Sequence, residues 1–393
     1  MIENGKILKS DLCKVLYIFV LSLNLVMQSL AGTNIQNIMF FSKSYLYSLT
    51  PKISIAIFFV VILMNRYMVV SKMILSVILG VVAVTITAVT NNYAVALVLL
   101  AIMACPSNIE IENIAKWESR CLFFLICGTV LMSIAGIIPS DIVYRGEAIR
   151  KSYGFTSANA FANNTLVWIL LFGLQKKNAW NWKDTGVCCV IAGLVFSATN
   201  SRMAFVMSLV ISLSFLLLNE KHSSIENAIY FVSKYCFSVL MLVCYICSWL
   251  YKEGYFTVQF NLLNVAMSYR LGFMRNYLRD YGIKPFGQII RTVSYSQSLR
   301  TGEAWSGLDN SYMYILICWG IVISVALCVL YYKLGQFNCN RLDKYSAFVA
   351  VVLCIVGLTE NYLPLIGNNI SLVMIAIMIS KNNELQGERC DGN

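Results

Sequence analysis

The sequence predicts an all-α fold: a polytopic integral membrane bundle of about 12 helices, with a range of ~10–12 set by the span length a bilayer demands. A long loop carrying an amphipathic helix joins two of the spans. Three observations lead to this reading. Of the 393 residues, 59% are hydrophobic and only 12% charged, where a soluble domain carries about 25% charged residues. The mean hydropathy is +0.70. Several apolar runs reach the ~20 residues needed to cross a bilayer, whereas a β-barrel would show alternating segments of about ten. The whole chain, 1–393, therefore reads as a single transmembrane domain.

Taken in order, the apolar runs place spans at 12–30, 46–64, 72–90, 92–106, 120–138, 157–175, 185–200, 202–218, 229–250, 309–332, 345–360 and 362–380. The first, from Cys13 to Leu30, is followed by no A-x-A-like site, so it reads as a retained span rather than a cleaved signal peptide. The seventh and eighth meet at Asn200-Ser201-Arg202 with almost no loop and require a tight hairpin. The last pair meets near Glu360-Asn361. Neither an internal repeat nor a low-complexity tract is visible.

Charge sets the sidedness. With both termini inside, 17 of the 30 Lys and Arg fall in inner joints and 13 outside, the bias expected of cytoplasmic loops. Eleven of those 13 concentrate in three places: a first external basic loop, 139–156; Arg202; and a large external loop, 251–308. Basic residues gathered on the wrong face imply a negatively charged partner there, with phosphate or pyrophosphate the foremost candidate. The net charge of +11 does not argue for nucleic acid, because most of it lies in short joints. Within the large loop, Met267, Leu271, Met274, Leu278 and Tyr281 share one helical stripe with Arg275 and Arg279 at its edge. That pattern fits an amphipathic helix on the membrane surface, ended by Lys284-Pro285-Phe286-Gly287.

Several chemistries are excluded. Most of the fourteen cysteines lie in or beside apolar runs, and Cys244-x-x-Cys247 has no second pair or His nearby, so they read as packing residues. The long loops contain no cysteine, so disulfides are not expected. The single histidine, His222, falls in an inner joint. An outer Ser-His-Asp arrangement or metal cluster is therefore not available, and neither a P-loop nor a GxGxxG motif is present. No metal and no cofactor is expected.

Three clusters remain. In the first, Arg145 and Arg150 precede Gly154, and Asn159 opens the next span. Planar guanidinium forks donate paired hydrogen bonds to phosphate, and a helix starting near Thr156 would offer N–H groups to an anion. A merely solvated loop is the alternative. In the second, Ser201-Arg202 puts a charge between two spans, where it either faces a wet cavity or snorkels. The third is Leu308-Asp309-Asn310-Ser311-Tyr312, entering the span that contains Gly320. Asp309 could take a proton from a hydroxyl, or simply cap the helix. Glu303 is a second candidate base. Arg145, Arg150, Arg202 and Arg270 are expected to converge on one outer cavity.

These clusters, in this order, resemble those of the O-antigen and capsular polysaccharide polymerases (Wzy-type). The residues that carry the resemblance are Arg145…Gly154-Phe155…Asn159, Ser201-Arg202, and Arg270…Pro285-Phe286-Gly287…Leu308-Asp309-Asn310-Ser311-Tyr312…Gly320. The related O-antigen ligases carry an outer-loop His that this chain lacks. The resemblance implies a metal-independent glycosyltransferase in the bacterial cytoplasmic (inner) membrane, its site facing the periplasm or exterior. It would join undecaprenyl-pyrophosphate-linked oligosaccharides, with Asp309, Arg270 and Arg145 catalytic and Arg150, Asn159, Arg202, Arg275, Arg279 and Tyr312 binding substrate. Membrane lipids, a chain-length regulator and a flippase are the implied partners, and nucleic acid is not. An O-antigen ligase, a flippase or transporter for the same lipid-linked sugar, which would show mid-span charges or repeated halves, and a non-enzymatic scaffold are the alternatives.

Overall fold

Runs of Leu, Ile, Val, Phe and Ala without Gly-Pro punctuation become helices, and in the computed structural model they account for nearly all regular structure. The structure describes residues 2–37, 43–64, 70–145, 148–220, 223–293, 302–303 and 306–390; His222 and Arg300 lie outside these. The helices are α1 (Ile2–Leu30), α2 (Lys43–Met64), α3 (Val70–Thr90), α4 (Ala94–Ala104), α5 (Ile111–Ile134), α6 (Ala158–Lys176), α7 (Trp182–Thr199), α8 (Arg202–Leu218), α9 (Ser223–Lys252), α10 (Thr257–Ala266), α11 (Arg270–Tyr281), α12 (Ser311–Asn340), α13 (Lys344–Val356) and α14 (Ile370–Cys390). Four stretches among the described residues are long and apolar enough to cross a membrane: Ser10–Leu30, Ile111–Ile134, Ser223–Lys252 and Ser311–Asn340. Shorter apolar helices of 10–17 residues accompany them. Large apolar side chains stand exposed along these helices, among them Phe124, Leu131, Phe231 and Leu242. Contiguous apolar surface of this kind is stable in lipid and not in water. The chain is a helical membrane protein.

The chain divides into two compact units, Met1–Val69 with Leu100–Glu226 and Ile366–Asn393, and Val70–Leu99 with Asn227–Leu365. In the first unit α6 is central, packing against α5, α7 and α8. Buried residues run almost unbroken around it from Phe161 to Leu174, the signature of an interior helix. Gly173 lets α8 approach: a Cβ there would lie 2.4 Å from the Phe215 ring. Asn181 and Asp184 form a capping box that starts α7. At its other end Asn200 turns left-handed (φ 47°, ψ 38°), and α8 begins two residues later, which makes the tight hairpin.

One local feature departs from the all-α expectation. Ile142–Arg145 and Ala148–Lys151 form an antiparallel hairpin with Arg145 opposite Ala148. The β-branched and aromatic residues of Ile142-Val143-Tyr144 favour strand, and Gly-X between strands is a two-residue hairpin signal.

In the second unit, α12 is not one straight span. It opens with one helical turn, continues as a π-helix over Ile315–Trp319, and breaks at Gly320 (φ 87°, ψ 171°). The Phe237 ring lies 5.4 Å from that of Tyr312 and 4.2 Å from that of Tyr331. In a continuous helix those two residues would stand about 28 Å apart, so the chain folds back at the break. The Lys284–Gln288 turn fills the gap. Ile321 N–H donates to the Lys284 carbonyl and Val322 N–H to that of Pro285, both at 3.2 Å, while Gln288 N–H donates to the Cys318 carbonyl at 3.3 Å. Backbone groups freed inside a membrane protein must find such partners. The approach needs two glycines. A Cβ on Gly287 (φ 77°) would lie 2.0 Å from the Cys318 oxygen, and one on Gly320 2.3 Å from the Gly287 nitrogen.

The amphipathic stripe of 267–281 is a correction. Leu271, Met274 and Leu278 are buried within the protein, so α11 packs as part of the fold rather than lying with that face on lipid. The preceding helix, α10, buries none of its residues and exposes Val258, Leu262 and Val265.

Candidate functional site

The two basic clusters belong to different units, and each is built from its own neighbours. In the first unit, the segment after α1 docks the 139–156 stretch. Asn34 N–H donates to the Gly154 carbonyl at 2.7 Å. Its side-chain amide reaches the Pro139 carbonyl at 2.9 Å, Asp141 Oδ2 at 3.3 Å and the Phe155 carbonyl at 3.2 Å. Gly154 (φ 85°) closes this contact, since a Cβ would lie 2.6 Å from Ile138. Asn34 was not singled out by sequence reasoning; a lone Asn ending an apolar run gave little signal.

On this platform, strand Ala148–Lys151 presents Arg150. Its Nε donates to the Thr199 carbonyl at 2.5 Å and its Nη2 to Asn159 Oδ1 at 2.6 Å. The structure thus brings Arg150 and Asn159 together at the end of α7, and Asn159 serves to orient the guanidinium. Arg202 is exposed at the first position of α8. The backbone of Arg145 lies in the first strand; its side chain lies outside the described residues. At the N-terminus of α6, Ser157 Oγ accepts from Ala160 N–H at 3.1 Å, which satisfies one of the orphan N–H groups of a helix start.

In the second unit, Arg270 begins α11 directly after two non-glycine residues in the left-handed region, Ser268 (φ 54°) and Tyr269 (φ 67°). Such conformations persist only where surrounding contacts impose them. Asn264 supplies these contacts, its carbonyl accepting from Tyr269 N–H and its Oδ1 from Gly272 N–H, each at 2.7 Å. The strained turn aims Arg270 at the chain after α13. Its Nε donates to the Thr359 carbonyl at 2.9 Å and its Nη2 approaches Glu360 Oε1 at 3.4 Å. Both side chains of that pair are mostly buried. These contacts use two of the five guanidinium N–H donors.

Asp309 lies beside them. Burial raises its carboxyl above the ordinary range, and the Arg270 charge pulls it part of the way back. A raised carboxyl is a stronger proton acceptor, once ionised, than an ordinary aspartate. Asp309 does not cap the helix, because the cap is the next residue: Asn310 Oδ1 accepts from Met313 N–H at 2.9 Å. Asn310 and Ser311 then fix the segment. Asn310 Nδ2 donates to the Leu358 carbonyl at 2.9 Å, Ser311 N–H to that of Gly357 at 2.9 Å, and Ser311 Oγ to that of Glu360 at 2.6 Å. Asp309 is therefore held by a backbone that its own carboxylate does not maintain.

Of the other expected site residues, Tyr312 is a correction, and the rest are placed by their local partners. Tyr312 is wholly buried, and its hydroxyl donates to the Cys354 carbonyl at 2.7 Å. It is a packing residue with no surface for substrate. Arg275 stacks over the Tyr251 ring at 4.5 Å. Arg279 is exposed and pairs with Asp280 at 2.8 Å. Glu303 pairs with Arg291 at 2.6 Å. Glu360 is the functional candidate that sequence reasoning missed. The available signal was its isolation, as the sole acidic residue between Asp343 and Glu384.

No protein-family model, curated protein or solved structure matches the chain. The functional reading therefore stands on these geometries and on the sequence motifs.

Proposed function

We propose that this protein is a polysaccharide polymerase of the bacterial cytoplasmic membrane, with about 12 spans and both basic stretches facing outward. It joins oligosaccharide repeat units carried on undecaprenyl pyrophosphate. The observation that carries the reading is the mostly buried Arg270–Glu360 pair with the half-buried Asp309 carboxyl within reach of the Arg270 charge, at the entry to a helix that breaks at Gly320. In the step, Asp309 takes the proton of an acceptor hydroxyl, whose oxygen forms a bond to the donor's anomeric carbon. The bond from that carbon to the pyrophosphate oxygen breaks, and the electron pair leaves with undecaprenyl pyrophosphate. Arginine donors meet the charge that develops on the leaving group, a contribution of roughly 3–4 kcal/mol per preorganised donor.

Two lipid pyrophosphates take part, one on each substrate, which accounts for two basic clusters. Arg150, held by Asn159 and Thr199, and Arg202 belong to one; Arg270 belongs to the other. A chain-length regulator and a flippase are the natural neighbours of such an enzyme. Purified protein incubated with lipid-linked repeat units tests the proposal. Products lengthened by whole repeat units are expected. Transfer of the glycan to a lipid A acceptor without lengthening would make the protein a ligase, and movement across a vesicle bilayer without elongation would make it a flippase.

A further inference from the structure

The loop from α10 onward is strongly basic, yet one cleft within it is lined by two carboxylates and a single guanidinium. It has a volume of about 440 Å³, inside the ~300–1,000 Å³ range of small-molecule sites. One wall is aromatic: Phe273 and Tyr281 line it, and Tyr281 stacks on Tyr277 with ring centroids 5.7 Å apart and planes 15° from parallel. Asn276 and Asp280 share that face of α11, and Arg291 and Glu303 complete the lining from the segment that follows. Each carboxylate is matched by a guanidinium, Asp280 by Arg279 at 2.8 Å and Glu303 by Arg291 at 2.6 Å.

The cleft is built rather than incidental. Val293 and Ser306 exchange backbone hydrogen bonds at 2.9 and 3.1 Å. The Tyr277 hydroxyl donates toward the Arg291 and Ser306 carbonyls at 3.0 and 3.1 Å, and Arg291 N–H donates to the Tyr281 hydroxyl at 3.0 Å. The two tyrosines thereby hold Arg291 and Ser306 against α11.

We propose that this cleft is a saccharide subsite, holding the sugar of the acceptor repeat unit; this assignment of the acceptor rests on the polymerase reading. The aromatic wall suits the C–H face of a pyranose. Asp280, Glu303, Arg291 and Asn276 offer both acceptors and donors to a ring of hydroxyls. A pyrophosphate would meet both carboxylates there, and like charges facing one another cost several kcal/mol. The chemistry thus separates two tasks, uncharged sugar in the cleft and anion at the arginines. Tyr277 joins them, since it forms part of the cleft wall and feels the Asp309 charge.

The test uses full-length protein and, as probe, the lipid-free oligosaccharide released by mild acid from the producing cells' lipid-linked pool. Saturation-transfer NMR reads binding and repeat-unit addition reads activity. Wild type, Arg270→Lys and Asp309→Asn should bind the probe alike, while Phe273→Ala and Tyr281→Ala lose the signal. In the polymerisation assay those two should raise the half-saturating acceptor concentration tenfold or more. Asp280→Asn, an exposed change that leaves the core intact, should weaken binding several-fold and guards against misfolding. Polymerisation and binding at wild-type levels in all three cleft variants would overturn the subsite and leave the polymerase standing. Probe binding lost in the cleft variants, with no polymer from wild type, would keep the saccharide site and overturn the polymerase. Displacement of the probe by inorganic pyrophosphate would overturn the division of tasks.

Discussion

Gly287→Ala probes the feature on which the second unit depends, the turn seated in the broken helix. The added Cβ would lie 2.0 Å from the Cys318 oxygen, 2.6 Å from its carbonyl carbon and 2.9 Å from that of Trp319. These are backbone atoms, so no side chain can swing aside. If the turn is displaced, three hydrogen bonds are lost: Gln288 to Cys318, Ile321 to Lys284 and Val322 to Pro285. A buried orphaned group costs about 1–3 kcal/mol, which puts the total at roughly 3–9 kcal/mol, and the positive φ adds about 1–3 kcal/mol. Gly282→Ala is the control. It has a positive φ of 65° but nothing within 4 Å of the added Cβ, so only the conformational cost of about 1–3 kcal/mol applies. Thermal unfolding in detergent, followed by a thiol-reactive dye that reports the buried cysteines, compares the two. The midpoint should fall by several degrees more for Gly287→Ala. Equal shifts would refute the claim that the turn is wedged into the helix.

Asp309→Asn should abolish polymer formation with an unfolding midpoint close to wild type, because Asn310 supplies the cap; loss of activity only in proportion to unfolding would contradict this. The raised Asp309 carboxyl also predicts a pH dependence. Activity needs the deprotonated form, so the acid limb of the rate profile should lie above the ordinary aspartate value of about 3.9. Arg270 opposes the rise, so in Arg270→Gln the limb should move further up, and an unmoved limb would show that another group titrates. For Asn34→Ala, loss of the side-chain contacts to Pro139, Asp141 and Phe155 should cost about 2–4 kcal/mol and speed proteolysis within 139–156. Arg150→Lys retains charge but loses the fork that reaches Thr199 and Asn159 together; activity should fall about tenfold or more with little change in stability.

Hydropathy made the helical membrane class legible because lipid imposes a simple rule on composition. It blurred where tertiary contacts override that rule. The expected span at 309–332 begins within a residue or two of Ser311, yet no local signal other than Gly320 marks the fold-back, since the partner that fills the break is a distant Gly287. The stripe at Leu271, Met274 and Leu278 was correctly apolar and helical, but periodicity cannot say whether such a face meets lipid or protein. Here it met protein. Arg270 and Asp309 were visible as basic and acidic residues in a polar stretch. Glu360 was not, because its role comes from contacts between segments 90 positions apart. Tyr312 went the other way: its neighbours in sequence looked functional, whereas packing with Phe237 and Tyr331 made it core.

The most direct test of the central claim is to count products together. Purified protein is reconstituted with undecaprenyl-pyrophosphate-linked repeat units, and both glycan length and released undecaprenyl pyrophosphate are measured. The account predicts one undecaprenyl pyrophosphate released for each repeat unit joined, with both signals lost in Asp309→Asn. Wild-type protein that neither lengthens the glycan nor releases the lipid pyrophosphate would contradict it.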